Sequence, residues 1–589
     1  MDAIRSPGGG LAVELSPSTP ERGLAVKREG RTVVEPSPIG VSTPDGEFPA
    51  DYEFVAERTA TINEEVRTAR GKRRRHDHQA TEATLEFRSE TGRTASFQVR
   101  VAPDGVGYRY RIEGDGRTLL FGDRPEFGAD HSTVRVPDRA TAWLFGYAPD
   151  HESVGRHYSA HRAAGEFTMP GLFRVDDDWV LVAEAGVDGT YAASRLATTE
   201  ASTAYEYRMP RATVDLRPPV TTPWRVLIVG DLATVGESSL VAQLVGEAKL
   251  DPEADWIEPG RVGWSWWSDG SSPADFEIQR EYVEYAAERG WEHVLVDVGW
   301  DAAWLPDLVA HAEERGVGVF VWAHWTELNR TEERIRRLDR WADWGVAGVK
   351  VDFMDADDQG RHQFYDEIME AAAERELMLN FHGSVVPTGL SSRWPHVMTY
   401  EGVMGAEHYG VKGVPAEHNV VLAFTRNVVG PMDYTPVAFS TERRATSAGH
   451  ELALSVVFES GLQHFADSTD AYRTRPHAER FLERVSAAWD ETVVLGGWPG
   501  SEASVARRRG EDWFVGTITA GAARTVDLPL AFLPAAREAV LIRDDEDGNS
   551  LVRETIDVSP DETLSVAVPD NGGCCLYLPA SPGQANDTS

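Results

Sequence analysis

Between Trp266 and Glu407 the chain sets carboxylates among tryptophans and histidines at the ends of short apolar runs. The residues are Trp266, Asp297, Trp300, His324, Trp325, Lys350, Asp352, His382, Glu401 and Glu407. Such a set suits acid–base work on a sugar. Flat rings stack on the apolar faces of a pyranose, while carboxylates protonate and attack an acetal bond. Lys350 stands two residues before Asp352, so on a strand both side chains leave the same side, and an ammonium there favours the ionised carboxylate. Other enzymes also have aromatic, acidic mouths, and an aspartate at a strand end can simply cap a loop. The composition therefore narrows the chemistry without fixing it.

Elements of a particular kind must hold these groups. From about residue 251 to 490, short apolar runs alternate with amphipathic stretches. The runs are VGWSWW (262–267), HVLVDVGW (293–300), GVFVWAHW (318–325), GVKVDFM (348–354), LMLNFHG (377–383) and VMTYEGV (397–403), with VLAFTRN (421–427) and LQHFAD (462–467) weaker. Stretches such as DFEIQREYVEYAAERG (275–290) read as the helices between them. Alternating strand and helix implies a parallel sheet, and eight such units predict a (β/α)8 TIM barrel. In that fold, catalytic groups gather where the strands end.

Residues 1–250 alternate with period two, as in ASFQVRVAP (95–103) and GYRYRIEG (107–114), and predict an N-terminal β-sandwich. Residues 491–580 return to short strands and predict a C-terminal β-sandwich, followed by a disordered tail at 581–589. The charged stretch 60–79, with its GKRRR run and with His76 and His78, reads as an exposed hairpin tip. Asp355, Asp357 and Asp358 read as a solvated loop in a chain that is acidic throughout.

The net charge of −37 makes nucleic acid and anionic membranes poor partners. The lysines are Lys27, Lys72, Lys249, Lys350 and Lys412; arginine carries the rest of the positive charge. Acid excess with so little lysine predicts a protein of concentrated salt, where surface repulsion is screened. Two adjacent cysteines, Cys574 and Cys575, can build neither a disulfide framework nor a cysteine zinc site. The first twenty residues have no continuous apolar core, so the expected location is cytoplasmic.

Several motifs, in order along the chain, resemble glycoside hydrolase family 97. They are GWSWW (263–267), GVKVDFMDADDQ (348–359), FHGSVVPTGL (381–390), TYEGVMGAEHY (399–409), GPMDYTP (430–436), VVFESGLQHFADS (456–468), WDET (489–492) and DWFVGTIT (512–519). The resemblance runs from about residue 143 to 520. It implies the same three-part architecture that the patterning predicts.

The resemblance also implies roles. Asp352, in KVDFM, takes the place of the nucleophile of retaining members, and Glu407 that of the general acid/base. Glu401 takes the place of a calcium ligand, as does Glu184 in VLVAEAGV, and the counterpart of Glu407 also touches the ion. A Ca2+ cofactor is therefore implied, and ligands that offer only oxygen suit that ion. Asp297, Trp300, His324, Lys350 and His382 are the candidate substrate-binding residues. Inverting members carry a glutamate base where this chain has Gly383, and they lack the aspartate at Asp352. The chain therefore sorts with the retaining branch, whose two carboxyls stand about 5–5.5 Å apart.

The implied reaction is retaining, exo-acting hydrolysis of a terminal α-linked sugar, with α-galactosidase as the leading expectation. An α-glucosidase or β-L-arabinopyranosidase on the same fold is the alternative. A non-catalytic carbohydrate-binding protein would have lost one of the two carboxylates, and both are present. A metal-dependent isomerase or lyase would need further convergent ligands at strand ends, and the sequence offers none that persuade. The expected partner is an oligosaccharide or glycoside, and the expected state a monomer or small homo-oligomer.

Overall fold

A computed structural model describes residues 3–16, 23–43, 46–113, 118–121, 132–150, 158–160, 164–199, 202–210, 213–216, 219–411, 413–545 and 548–580. The expected tail at 581–589 lies outside the described residues.

From Ile4 to Gly230 the strands pair antiparallel. Alternation builds the core. In Gly105–Ile112, Tyr108, Tyr110 and Ile112 turn inward while Arg109 and Arg111 turn out, and the inward set packs with Phe97, Val99, Val180 and Val182. One strand, Asp178–Ala185, is buried on both faces. Its Val180 and Val182 face the sandwich core, while Trp179, Leu181, Ala183 and Ala185 join the core shared with the central unit. That strand is a wall between two domains.

The central unit is the parallel barrel. Its strands are β1 (Gly260–Trp264), β2 (His293–Val296), β3 (Gly318–His324), β4 (Gly348–Asp352), β5 (Met378–Phe381), β6 (Val397–Tyr400) and β7 (Leu462–Phe465). They run in the order β6-β5-β4-β3-β2-β1-β7. Helices between them are capped as the sequence suggests. The helix Phe276–Arg289 starts at Asp275, whose carboxylate accepts from the Glu277 and Ile278 N–H groups, and stops at Gly290 with φ 65°.

One expected strand is absent. VLAFTRN lies in the helix Ala416–Leu422 and the short 3-10 turn Arg426–Val428. The place between β6 and β7 belongs instead to the irregular segment 431–436, in which Thr435 has φ 54°. There the Asp433 N–H donates to the Tyr400 carbonyl (2.9 Å) and the Ala466 N–H to the Pro436 carbonyl (3.1 Å). Pro431 and Pro436 have no N–H to give, so the segment cannot form a regular ladder.

The stretch 60–79 forms the arms and tip of a long hairpin, Glu53–Arg67 with Arg75–Arg88. The first arm is exposed, but the tip is not: Thr68, Ala69, Arg70 and Lys72 are buried. Arg70 donates to the carbonyls of Ser391 and Val397, and Lys72 to those of Ser238 and Val428. Expected as a solvated charge run, the tip is an interdomain plug whose cations are satisfied by carbonyls. His78 is buried as well, against Gln243.

From Glu491 to Leu578 a six-stranded and a two-stranded antiparallel sheet enclose Trp513, Val515, Leu528, Leu541 and Leu576. Cys574 and Cys575 lie buried there as free thiols. Among the described residues, no helix is long and apolar enough to cross a membrane.

Candidate active site

Strand register brings the site together. In β3 and β4, Trp322 pairs with Lys350 and His324 with Asp352, so these four side chains share one face at the barrel interior. Lys350 pairs on its other side with Asn380 of β5. Asp297 follows β2, and Trp264 ends β1.

The centre is a buried charge network. The Lys350 ammonium lies 2.9 Å from Asp297 Oδ2 and 3.9 Å from Asp352 Oδ2. It also stands 5.0 Å from the centroid of the Trp264 ring, whose N–H donates to Asp297 Oδ2 at 2.9 Å. Burial disfavours each charge here, yet the pairing wins. Asp297 is held below the usual carboxylate range by Lys350, the Val298 N–H and Trp264. Lys350 is held above the usual lysine value by Asp297, Asp352 and Glu407. Its proton is fixed, so it serves as a permanent cation and not as a base.

Asp352 is anchored at both oxygens. Oδ2 accepts the indole N–H of Trp322 at 2.8 Å, and Oδ1 accepts the Phe353 N–H at 2.6 Å. A carboxylate held this way cannot rotate freely, which is what in-line attack requires. Glu407 lies on the 3-10 turn Ala406–Gly410 after β6 and adds its charge to the field at Lys350. Asp352 thus ends β4 while Glu407 follows β6, and the charges of both act on Lys350.

A second network lies beside the first. Asp433 Oδ2 accepts from Asn380 Nδ2 (2.9 Å) and His382 Nε2 (2.8 Å) and lies 2.9 Å from His464 Nδ1. Although burial opposes it, the two histidines keep Asp433 far below the usual range. His382 turns its Nδ1 toward Glu401 Oε2 (3.3 Å) and Glu407 Oε1 (3.8 Å). Burial and Lys350 work against its protonation, but Asp433 and Glu407 raise it on balance. Glu401 is fixed by the Gly383 N–H at 2.8 Å. His382, Glu401 and Glu407 offer ligand atoms within 4.8 Å of one another, and they are the group among the described residues that could hold a metal ion.

Glu184 does not join that group. It pairs with Arg225 in an ion pair and accepts from Ser194 at 2.7 and 2.8 Å. On its strand Glu184 shares a face with Val180 and Val182, and it lines a cavity with Ser194, Asp357 and the barrel-loop residues Val385, Val386 and Thr388.

The other predicted residues divide. His324 sits at the mouth, where Nδ1 accepts the Thr326 N–H, so Nε2 carries the proton as a donor. Trp300 gives its indole N–H to the Trp322 carbonyl at 2.9 Å, which leaves only its ring for a ligand. Trp266 stacks on Trp264. Trp325 turns away, under the Arg361 guanidinium at 3.6 Å and against Phe364. Asp357, expected in a solvated loop, is buried and accepts the Tyr147 hydroxyl at 2.9 Å. Asp358 caps the helix Gln359–Ala373.

Trp322, Asn380, Asp433 and His464 were not among the predicted site residues. Trp322 stands two residues before His324, so strand parity alone would have found it. Asp433 sits in GPMDYTP, where a lone acid between prolines carries no periodic signal.

The family models for the N-terminal part of glycosyl hydrolase 97, for glycoside hydrolase 97, and for its C-terminal, oligomerisation part match residues 4–246, 256–403 and 488–579. A probable retaining alpha-galactosidase of Streptomyces bingchenggensis is 40% identical over 582 residues, covering 95% of this chain and 89% of the relative. A beta-arabinopyranosidase crystal structure superimposes with a TM-score of 0.88 at 24% identity, covering 98% of this chain and 100% of that one. A family 97 enzyme of Pseudoalteromonas sp. strain K8, solved with acarbose, gives 0.89 at 22% identity, covering 98% and 99%. At that identity both structures speak to the fold alone. The three family matches together span most of the chain, and a relative of high coverage agrees with them: the protein is a glycoside hydrolase and belongs to glycoside hydrolase family 97.

Proposed function

We propose that the chain is a retaining, exo-acting α-galactosidase in which Asp352 is the nucleophile and Glu407 the general acid/base. The observations that support this reading are Asp352 Oδ2 at 3.9 Å from the Lys350 ammonium, Glu407 Oε1 at 3.8 Å from His382 Nδ1 one strand away, and Gly383 where the resemblance puts the base of inverting members. The relative named a probable retaining alpha-galactosidase supports the sugar assignment.

Asp352 attacks C1 of the terminal sugar from the β face, and the C1–O bond to the leaving group breaks. Glu407 donates its proton to the departing oxygen. Water then attacks C1 of the glycosyl–Asp352 ester, Glu407 takes the water's proton, and the α-anomer is released. Trp322 and the Phe353 N–H hold Asp352 on line throughout. In this reading Asp297 and Lys350 lie beneath the sugar and the Trp300 ring alongside, while His382, with both nitrogens turned to carboxylates, stands behind Glu407, and His324 stands at the rim.

Glu401 and Glu407 also fit a calcium ion. Two carboxylates approaching the same ring nitrogen repel each other, and an oxygen-loving cation there offsets that repulsion. When bound, the ion would supply positive charge that fixes Glu407 in position. Glu184, committed to Arg225, is not one of its ligands in this reading. The acidic, lysine-poor composition further supports activity in concentrated salt.

The test is a panel of nitrophenyl α-galactoside, α-glucoside and β-L-arabinopyranoside, with NMR of the first sugar released. α-Galactoside turnover giving the α-anomer first is expected. Release of the β-anomer would sink the retaining assignment, and no turnover of any α-hexoside would sink the activity.

A further inference from the structure

The exposed large apolar residues among those described are Phe54, Val55, Val298, Phe353, Val411 and Trp498. Three of these six stand at the C-terminal end of the barrel. Val298 follows Asp297, Phe353 follows Asp352, and Val411 follows the turn that carries Glu407.

Exposure rises in steps along this line. The side chains of Lys350 and Asp297 are 3% and 4% exposed, those of Asp352 and Glu407 16% and 19%, and Phe353 is 49% exposed. Exposure thus rises from the charged network through the two carboxylates to Phe353.

Phe353 holds that position against its own backbone preference. Its φ is 61°, a conformation bulky residues seldom adopt. Three backbone hydrogen bonds hold the turn: Phe353 N–H to Asp352 Oδ1 (2.6 Å), Met354 N–H to the His382 carbonyl (3.4 Å) and Asp355 N–H to the Gly383 carbonyl (2.7 Å). The turn lays the Phe353 ring on the His324 imidazole, with centroids 5.1 Å apart and planes 26° apart, and sets it edge-on to Trp322. An apolar ring left facing water in a strained turn carries a cost that a ligand contact would offset. Beside it, the Nε2–H of His324 adds one donor.

We propose that Phe353, with His324 beneath it, is the platform that binds the leaving group of the glycoside, and that it selects leaving groups with a flat apolar face, a pyranose face or an aryl ring. This rests on the exo-acting reading above. If the terminal sugar sits above Lys350 and Asp297, whatever projects past Asp352 and Glu407 is the leaving group, and it must pass Phe353. The platform acts while the leaving group is still attached. Its contribution belongs to kcat/KM, which ends with glycosyl-enzyme formation, and not to hydrolysis of that intermediate.

The test compares three substrates on the parent enzyme and Phe353→Ala: nitrophenyl α-galactoside, an α-galactosyl disaccharide and α-galactosyl fluoride, whose leaving group is a single atom. The alanine keeps the N–H that Asp352 needs. The ratio of kcat/KM for each large leaving group to that for the fluoride should fall about tenfold, as expected for losing one ring contact. Phe353→Trp should restore the ratio. A contact selective for aryl rings would lower only the nitrophenyl ratio, whereas one that accepts a sugar face lowers both. Equal loss on all three substrates would overturn the proposal, because it would mean that Phe353 only supports Asp352. Should the alanine variant fail to fold, Phe353→Leu, which keeps the bulk and removes the flat face, gives the same ratio test. A parent enzyme inert on every one of these substrates would overturn the galactosidase reading itself, and that result is seen before any variant is made.

Discussion

Gly383 faces the loop after Asp352 so closely that a Cβ there would lie 2.8 Å from Asp355 Oδ1. The same Cβ would lie 3.1 Å from Phe353 Cα and 3.2 Å from Phe353 N, and the φ of Gly383 is 52°. A side chain at position 383 would therefore run into the loop that anchors Asp352.

Gly383→Glu should accordingly fail to create an inverting enzyme. The new side chain must push the Phe353–Asp355 turn aside, and with it the N–H that holds Asp352. A shift of about 1 Å in a catalytic group costs about a hundredfold in rate. Loss of that order in kcat/KM, with no β-anomer by NMR, is the expected result. A gain of inverting activity would show that the loop yields easily.

Asp352→Ala should abolish turnover and respond to azide. With the carboxylate gone, a small anion fits between Trp322 and Lys350 and attacks from the same β face. The product should be the β-azide, identified by its anomeric coupling. An α-azide would mean that the displaced face was assigned wrongly.

Lys350 and Asp297 predict a strong non-additivity. Removing one partner of a buried pair strands the other charge, at a cost of about 3–5 kcal/mol. Lys350→Met should therefore lower unfolding free energy in urea by that order, and Asp297→Asn by less, since asparagine still accepts from Trp264. The double variant should be more stable than Lys350→Met alone. Additive losses would show that the two charges are not coupled as the 2.9 Å contact implies.

The motifs around these residues were legible because strand periodicity places Lys350 and Asp352 on one face and leaves Asp352 at the strand's end. What could not be read was anything set by pairing across the fold. VLAFTRN has the apolar content of a strand, and a short apolar run does not distinguish a strand from a buried helix. The real occupant of that position, 431–436, is broken by prolines. Arg70 and Lys72 look solvated in a charge run, and only the tertiary structure supplies the carbonyls that bury them. Glu184 has the right type and motif, and its partners Arg225 and Ser194 come from elsewhere in the N-terminal domain, which no local pattern reveals.

Glu401 and Glu407 predict that chelation matters. Dialysis against a calcium chelator should lower activity and calcium should restore it, with magnesium less effective because it demands a tighter oxygen cage. Terbium luminescence, sensitised by nearby tryptophan, gives a readout independent of turnover. Glu401→Gln should weaken terbium binding, and Glu184→Gln should leave it unchanged. Equal weakening by both would return Glu184 to the ligand set.

Asp357 predicts a pH effect on stability. Burial pushes its carboxyl up to about 6, although the Tyr147 hydroxyl and Arg195 favour its charge and Asp358 opposes it. A carboxyl whose folded value lies above its unfolded one binds more protons in the folded state. Its contribution is present below the unfolded value and is lost as pH rises through about 6. Asp357→Asn still accepts from Tyr147 but never becomes a buried anion. The melting temperature of the variant, relative to the parent, should therefore climb from about pH 4 to about pH 6 and level off above that. Because Asp357 ties the loop after Asp352 to the N-terminal domain, the same substitution should leave that loop's anchorage, and so kcat/KM, close to the parent's. A relative melting temperature that stays flat across that range would mean that water reaches the carboxylate and that the loop is not sealed against the sandwich.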